Sequence, residues 1–191
     1  MQMNIPNLLT WLRIAAIPLF VVVLYFPQWD WVSQHTANII ATAIFIAAAI
    51  TDWFDGYLAR KLNQTSAFGA FLDPVADKLM VAAALIVLVE LGRVDAVVAL
   101  IIVGREITIS ALREWMAHLG QSKSVAVSLM GKIKTVAQLV AIPFLIYDGF
   151  LFDIINCRLI GSLLIWVAAI LTLWSMAIYL RAAVIPANLK R

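Results

Sequence analysis

The sequence contains little charge and almost no cysteine. Of its 191 residues, 13% are Asp, Glu, Lys or Arg, whereas soluble domains average about 25%. The single cysteine, Cys157, has no second cysteine to pair with, which excludes a disulfide-stabilised scaffold. The hydrophobic fraction of 64% excludes a disordered chain, because disordered chains are poor in apolar residues. These absences together indicate a small integral membrane protein.

Long apolar runs define how the chain is organised. Turn-forming residues separate them, and the pattern predicts six helices at about residues 8–27, 35–61, 72–91, 95–118, 125–147 and 157–181. A membrane-spanning helix needs about 20 residues, so the chain has room for six spans with short connections. We therefore expect an all-α, polytopic membrane protein in which residues 1–191 form a single domain.

The N-terminal segment differs from the spans that follow it. It has neither the basic region nor the cleavage site of a signal peptide. Apolar residues recur near helical spacing, and polar residues stand between them: Asn4, Asn7, Thr10 and Arg13. This pattern predicts an amphipathic segment that lies in the membrane interface and leads into the first span.

The basic residues predict the orientation in the membrane. With the N-terminus inside, only Arg93 and Arg158 of the 14 Lys and Arg residues fall outside, which leaves 12 on the inner side. Basic residues concentrate in cytoplasmic loops of membrane proteins. We therefore expect both termini, and any active site on that face, to be cytoplasmic.

Four aspartates fall where a span should be apolar. Asp52 and Asp55 lie near the end of the second predicted helix, and Asp73 and Asp77 near the start of the third. An ionisable residue in a span is costly and indicates function.

Neighbouring carboxylates also repel one another unless a positive charge compensates them. Nearby basic residues offer one source of such charge: Arg60, Lys61 and Lys78. A divalent metal site, with one ion or two, is the better explanation, and oxygen ligands without His or Cys favour Mg²⁺ or Mn²⁺.

Helical spacing places small residues beside the first two carboxylates. At about 100° per residue, one stripe of the second helix contains Asp52, Asp55, Gly56 and Ala59. This stripe is typical of a metal site beside a surface that a ligand approaches closely. Asp73 also has a simpler interpretation: Pro74 suits the first position of a helix, and Asp73 would then be its N-cap.

The segment from Asp52 to Asp77 resembles the signature of a known family. The signature of the CDP-alcohol phosphotransferase family is matched at every fixed position by Asp52-Trp-Phe-Asp55-Gly56-Tyr-Leu-Ala59-Arg60, eight residues, Gly69, three residues, Asp73, three residues and Asp77. The resemblance implies a six-helix membrane enzyme, usually dimeric, that transfers a phosphatidyl or similar group from a CDP-linked donor to an alcohol and releases CMP. It implies two metal ions held by Asp52, Asp55 and Asp73, with Asp77 also near them. It further implies that the donor's cytidine diphosphate is surrounded by Gly56, Ala59, Arg60 and Gly69.

Other segments resemble one bacterial member of this family over nearly the whole chain. They are Asn4 to Arg13, Arg105 to Trp115 and Ser124 to Thr135. That member transfers the phosphatidyl group of CDP-diacylglycerol to sn-glycerol 3-phosphate, so the resemblance implies these two substrates. It also makes Asn7, Thr10 and Arg13 candidates for a role near the cytidine or the acceptor, although these residues also suit an interfacial helix.

The expected chemistry assigns roles to further side chains. The acceptor hydroxyl must lose a proton, and Asp77 is our candidate for the general base, the alternative being a metal ligand only. An acceptor phosphate requires cations, which we assign to Arg105, Arg113, Lys132 and Lys134. The alternative is that these residues flank the membrane on its cytoplasmic side and pair with Glu106 and Glu114.

Two other functions are compatible with parts of the pattern. The same chemistry could serve another acceptor, such as inositol phosphate, serine or phosphatidylglycerol, because the carboxylates do not select the acceptor. A cation or proton transporter could use the carboxylates as ion sites, but it predicts charges near the bilayer midplane or an inverted repeat, and the sequence has neither. No feature of the sequence suggests a nucleic-acid partner.

Overall fold

The computed structural model describes residues 5–61, 67–118 and 129–188. Within these ranges the side chains of residues 5–7, 53, 55–60, 67, 68, 70, 113, 117, 118, 129–132 and 179–188 are not described. The described residues form six α-helices: α1 (Ile5–Tyr25), α2 (Gln34–Lys61), α3 (Ala67–Glu90), α4 (Ala96–His118), α5 (Leu129–Tyr147) and α6 (Cys157–Asn188). The prediction of an all-α polytopic membrane protein is confirmed.

Helix length and composition fit a bilayer. Among the described residues, three helical stretches are long and apolar enough to cross a membrane: Leu8–Trp29, Gln34–Asp52 and Cys157–Ile178. A shorter apolar stretch, Ile133–Tyr147, occupies most of α5. Helices α3 and α4 have 24 and 23 residues, which at about 1.5 Å per residue exceeds the roughly 30 Å hydrocarbon thickness. Both helices also carry charged residues of the candidate site, among them Asp73, Asp77 and Glu106.

The helices pack side by side in a closed ring. The larger contacts between helices follow the order α1, α2, α5, α6, α4, α3 and back to α1, and a smaller contact joins α2 to α3. An additional contact between α3 and α5 crosses the ring. This cross-contact divides the interior into two halves, one bounded by α1 and α2 and the other by α4 and α6.

The apolar core extends through the ring. Its fully buried large side chains come from all six helices and include Phe20, Phe45, Leu85, Ile102, Leu145 and Ile165. Outward-facing positions are also apolar, as in Leu100 and Ile170, which are 71% and 62% exposed. Large apolar side chains on both the inside and the outside are typical of helices surrounded by lipid.

The helix ends opposite the aspartates are joined by ordered turns. Gly92 ends α3 with φ +66°, and the backbone N–H of Arg93 returns to the carbonyl of Leu88 at 2.8 Å, a left-handed C-terminal cap for which glycine is suited. Between α5 and α6 lies a hairpin of two short antiparallel strands, β1 (Phe150–Leu151) and β2 (Ile155–Asn156). The sequence predicted a turn here but no strands, because each strand has only two residues.

A buried arginine ties these ends together. Arg93 donates hydrogen bonds to the carbonyl of Ile146 at 2.7 Å and to Oδ1 of Asn38 at 3.0 Å, and its Nε lies 3.1 Å from Asp148. Asn38 in turn donates to the carbonyl of Tyr147 at 3.1 Å. Burial lowers the pKa of the Arg93 guanidinium and the Asp148 carboxylate opposes this shift, so the ion pair offsets part of the desolvation cost. The cluster joins α2, α5 and the turn before α4.

Helices α3 and α1 begin at positions that can be compared with the sequence predictions. Asp73 was a candidate N-cap, but α3 begins at Ala67, so Asp73 and Pro74 lie inside the helix and the cap interpretation is wrong. Pro74 is the eighth residue of α3, where it removes one intrahelical hydrogen bond and its ring crowds the carbonyl four residues earlier. The N-terminal lead-in forms, from Ile5 onward, one continuous helix with the first span.

Replacing Gly161 by Ala is expected to disturb the packing of α6 on α5. An added Cβ would lie 2.7 Å from Cγ of Leu145 and 3.1 Å from its backbone nitrogen. Because the backbone cannot move aside, we expect a cost of about 1–3 kcal/mol. The readout is the temperature at which half of the detergent-solubilised protein is no longer monodisperse on size-exclusion chromatography, which should fall by several degrees. Gly104→Ala is the matched control, since nothing lies within 4 Å of its added Cβ. Equal losses in both variants would contradict this packing.

Candidate functional site

Two side chains of α1 hold aspartates of the neighbouring helices. The Thr10 hydroxyl donates to Oδ1 of Asp73 on α3 at 2.6 Å, and Arg13 forms a salt bridge with Asp52 on α2. Thr10 and Arg13 are three residues apart, which places them on one face of the helix. Both are buried, at 1% and 3% exposure. The start of α1 therefore belongs to the site, and its polar residues face the carboxylates.

Asp52 and Asp77 open onto the same pocket. We call it the Asp52 pocket, and its walls come from four helices: Arg13, Phe45, Ala48, Ala49, Asp52, Asp77, Met80, Val81 and Leu139. The Arg13 side chain is only 2% exposed, whereas that of Asp52 is 44% exposed. The cation thus lies behind the carboxylate, and the carboxylate faces the open space.

A second pocket lies on the other side of the α3–α5 contact. We call it the Glu106 pocket, and it is lined by Asp77, Lys78, Val81, Glu106, Thr135, Gln138 and Leu139. Asp77, Val81 and Leu139 line both pockets. Asp77 forms no hydrogen bond or salt bridge with any described residue, so its carboxylate is available to a ligand in either pocket.

The carboxylate of Glu106 on α4 forms salt bridges with two buried cations. Glu106 Oε1 accepts from Nη1 of Arg105 at 2.9 Å and also from the Lys134 ammonium of α5. The exposed fractions of the Arg105 and Lys134 side chains are 7% and 2%. Two buried cations repel each other and are costly without a counter-charge, which Glu106 provides. Pairing with Glu106 was the alternative to a substrate role for Arg105; that pair is present, and the fold adds Lys134 to it.

An apolar groove adjoins the Asp52 pocket. It runs between α2 and α5 and is lined by Phe45, Ile46, Ala49, Ile50, Leu139 and Pro143. Phe45, Ala49 and Leu139 also line the Asp52 pocket. Ile46 and Ile50 are 41% and 53% exposed on the outer surface. The groove therefore connects the carboxylates sideways to the lipid-facing surface.

Several predicted site residues fall outside the described side chains. The backbone continues as helix α2 through the first group, but nothing further is described for Asp55, Gly56, Ala59 and Arg60. The same holds for the side chains of Asn7, Arg113 and Lys132. Gly69 is buried in the first turn of α3.

The described acidic side chains suit a hard cation by their chemistry. No three His, Cys, Asp or Glu side chains within the described part of the chain form a ready metal cluster. Asp52 and Asp77 nevertheless present carboxylate oxygens to one pocket, and Asp52 retains a second oxygen beyond the one bound by Arg13. Such oxygen donors fit Mg²⁺ or Mn²⁺ better than zinc.

Sequence reasoning missed two residues of the Glu106 pocket. Glu106 was treated only as a pairing partner on the membrane flank, and Gln138 was not considered. One signal was present: Gln138 follows Lys134 by four residues, which places both on one face of α5. A polar amide within an apolar span was a second indication.

Comparison of the sequence with known proteins identifies the family of this chain. Residues 3–174 match the CDP-alcohol phosphatidyltransferase family, and the chain belongs to that family. Enzymes of this family generally depend on a divalent metal ion.

Particular relatives are similar over nearly the full length. The chain is 51% identical over 185 residues to the CDP-diacylglycerol–glycerol-3-phosphate 3-phosphatidyltransferase of Salmonella paratyphi A, a match that covers 96% of each protein. It is 50% identical, with the same coverage, to the proteins of that name from Escherichia coli K12 and Shigella flexneri. The resemblance inferred from the motifs is confirmed.

Proposed function

We propose that this protein transfers the phosphatidyl group of CDP-diacylglycerol to sn-glycerol 3-phosphate and releases CMP, as the names of its relatives say of them. The product is phosphatidylglycerophosphate. The observation that carries the proposal is the similarity over 96% of both chains, which includes the acceptor side of the site as well as the signature aspartates. Acceptors such as inositol phosphate, serine or phosphatidylglycerol are the outcomes against which this assignment is tested.

The donor pyrophosphate belongs in the Asp52 pocket. We propose that two divalent ions, Mg²⁺ or Mn²⁺, are held there by Asp52, Asp55, Asp73 and Asp77. Such ions, when bound, neutralise the negative charge that develops on the leaving phosphate. Arg13 and Thr10 hold Asp52 and Asp73 in place from behind. Residues of the signature surround the rest of the nucleotide: Gly56, Ala59, Arg60 and Gly69.

The acyl chains of the donor reach this pocket through the lipid. The groove between α2 and α5 is apolar, open to the outer surface and continuous with the Asp52 pocket. A lipid donor can therefore place its head group at the carboxylates while its chains stay in an apolar environment, which avoids the cost of exposing them to water.

In this proposal Asp77 acts as the general base. It lines both pockets, so a donor in one and an acceptor in the other meet at its carboxylate. Asp77 takes the proton of the acceptor's primary hydroxyl, whose oxygen bonds to the β-phosphorus of the donor. The bond from that phosphorus to the oxygen of the departing CMP breaks in the same displacement. This route needs no covalent enzyme intermediate.

The acceptor phosphate binds near the Glu106 cluster. Arg105 and Lys134 supply positive charge on neighbouring helices, and their shared carboxylate holds them in position before the acceptor arrives. Guanidinium and ammonium groups are the usual partners of a phosphate dianion. Arg113 and Lys132 complete the proposed acceptor set.

The orientation and assembly follow from the same proposal. Of the 14 basic residues, the 12 assigned to the inner side include those at the acceptor site, and glycerol 3-phosphate is a soluble cytoplasmic compound. We propose a multi-pass protein of the bacterial inner membrane with the active site and both termini in the cytoplasm. By its family resemblance we expect a homodimer.

A direct assay tests the proposed reaction. The purified protein is mixed with CDP-diacylglycerol, labelled glycerol 3-phosphate and Mg²⁺ or Mn²⁺, and the lipid product is extracted. We expect labelled phosphatidylglycerophosphate, and loss of its formation when EDTA removes the metal. Turnover only with serine, inositol phosphate or phosphatidylglycerol would reject the acceptor, and full activity in EDTA would reject the metal site.

Asp77→Asn is expected to lose at least about 100-fold in kcat while CDP-diacylglycerol still binds, because the amide cannot accept the proton. Steady-state kinetics and a donor-binding measurement check this result. Asp153→Asn is the matched control: Asp153 lies in the turn of the β-hairpin with φ +57°, a conformation that Asn also adopts. Unchanged kcat in Asp77→Asn would remove the base assignment.

Arg105→Ala is expected to raise the KM for glycerol 3-phosphate by roughly 10- to 100-fold, with a much smaller change in the KM for CDP-diacylglycerol. The reason is loss of a charged partner for the acceptor phosphate. Arg158→Ala, which removes a guanidinium at the opposite end of the bundle, serves as the control. A larger rise in the donor KM would instead place Arg105 at the nucleotide.

A further inference from the structure

One side chain that lines the Glu106 pocket, Gln138, has no hydrogen-bond partner among the described residues. Gln138 is 5% exposed, and its amide forms no hydrogen bond with any residue that the structure describes. Its amide atoms are not among the fully buried side-chain atoms without a partner, so they remain accessible from the open space of the pocket. A ligand that displaces water from the amide must replace those hydrogen bonds, because an unreplaced one is unfavourable. Gln138 also forms part of the pocket wall, so the missing partner belongs in the pocket.

The position of Gln138 relates it to both ends of the proposed acceptor. Lys134 lies one helical turn earlier on the same face of α5, about 6 Å away along the axis. Asp77 lines the same pocket from α3. An acceptor with its phosphate near Lys134 and its reacting hydroxyl at Asp77 therefore passes alongside Gln138.

Apart from Asp77, each of the other polar side chains of the pocket has at least one partner. Lys78 donates to the hydroxyl of Ser110, and Glu106 holds Arg105 and Lys134. Thr135 also has an interaction partner. Gln138 and Asp77 thus differ from the other polar side chains of this pocket, because neither forms a hydrogen bond with a described residue.

We infer that Gln138 hydrogen-bonds the secondary hydroxyl of the acceptor and thereby selects glycerol 3-phosphate over acceptors without that group. This inference rests on the proposed function. A primary amide has both donor N–H groups and an acceptor oxygen, so it can satisfy a hydroxyl in both directions. A site that hydrogen-bonds a substrate hydroxyl rejects the analogue lacking it, because the protein group is then left unpaired. Gln138 is accordingly a specificity residue that does not take part in bond making.

The first test compares two acceptors on the unaltered protein. Propane-1,3-diol monophosphate keeps the phosphate and the reacting primary hydroxyl of glycerol 3-phosphate but lacks the secondary hydroxyl. We expect kcat/KM for glycerol 3-phosphate to exceed that for the analogue by roughly 10- to 100-fold. Equal values would overturn the inference whether or not any Gln138 variant folds.

The second test removes the amide. Gln138→Met keeps the approximate size of the side chain, and we expect it to lower kcat/KM for glycerol 3-phosphate by roughly 10- to 100-fold while that for the analogue changes less than about threefold. The ratio between the two acceptors should therefore fall toward one. Gln34→Met makes the same chemical change at the far end of α2, where Gln34 contacts Asn38, and should leave the ratio unchanged. Gln138→Asn, which keeps a shorter amide, should give an intermediate ratio.

The outcomes separate this inference from the proposed function. If the unaltered protein makes no phosphatidylglycerophosphate, the proposed function fails, and the acceptor assigned to Gln138 fails with it. If it makes the product but Gln138→Met slows both acceptors equally, Gln138 has a structural role and this inference alone is overturned. A raised KM for CDP-diacylglycerol with an unchanged acceptor ratio would also overturn it, by placing Gln138 at the donor.

Discussion

The cost of placing charge inside a membrane span governs this structure. Each charged or polar group there needs a partner, and a helix cannot supply one from its own apolar neighbours. Thr10 and Arg13 meet Asp73 and Asp52, and these contacts bring α1 against α3 and α2. Glu106 meets Lys134, which joins α4 to α5 around the same site. The polar pairs that organise the site therefore also determine which helices are neighbours there.

The contact of α3 with α5 across the ring creates two separate pockets at the site. It separates a pocket with Asp52 from a pocket with Glu106 and leaves Asp77 exposed to both. In the proposed reaction the two substrates would be held in separate pockets and would meet at this carboxylate in the wall between them. The Arg93 cluster joins the helices at the other end, away from this wall. The polar contacts that join the helices near Arg93 and those that line the two pockets thus form two separate networks.

Much of the fold was predictable from local pattern, because apolar runs of about 20 residues have few alternatives to spanning helices. The start of α3 was not: Asp73 and Pro74 form a good cap signal, yet the helix begins at Ala67 and continues through them. A cap preference of about 1 kcal/mol does not decide a boundary when packing favours a longer helix. The short hairpin between α5 and α6 was also missed, since two-residue strands leave no periodic signal.

By itself the sequence determined the membrane class, the helices, the family and the four aspartates, since each follows from composition or from fixed spacing along the chain. Only the tertiary structure decided that α1 holds two of those aspartates, that Asp77 borders two pockets and that Gln138 lines the second of them. Thr10 and Asp73 are 63 positions apart in the sequence, and Arg13 and Asp52 are 39 positions apart. Contacts at such separations depend on the order of helices around the ring, which no local pattern encodes.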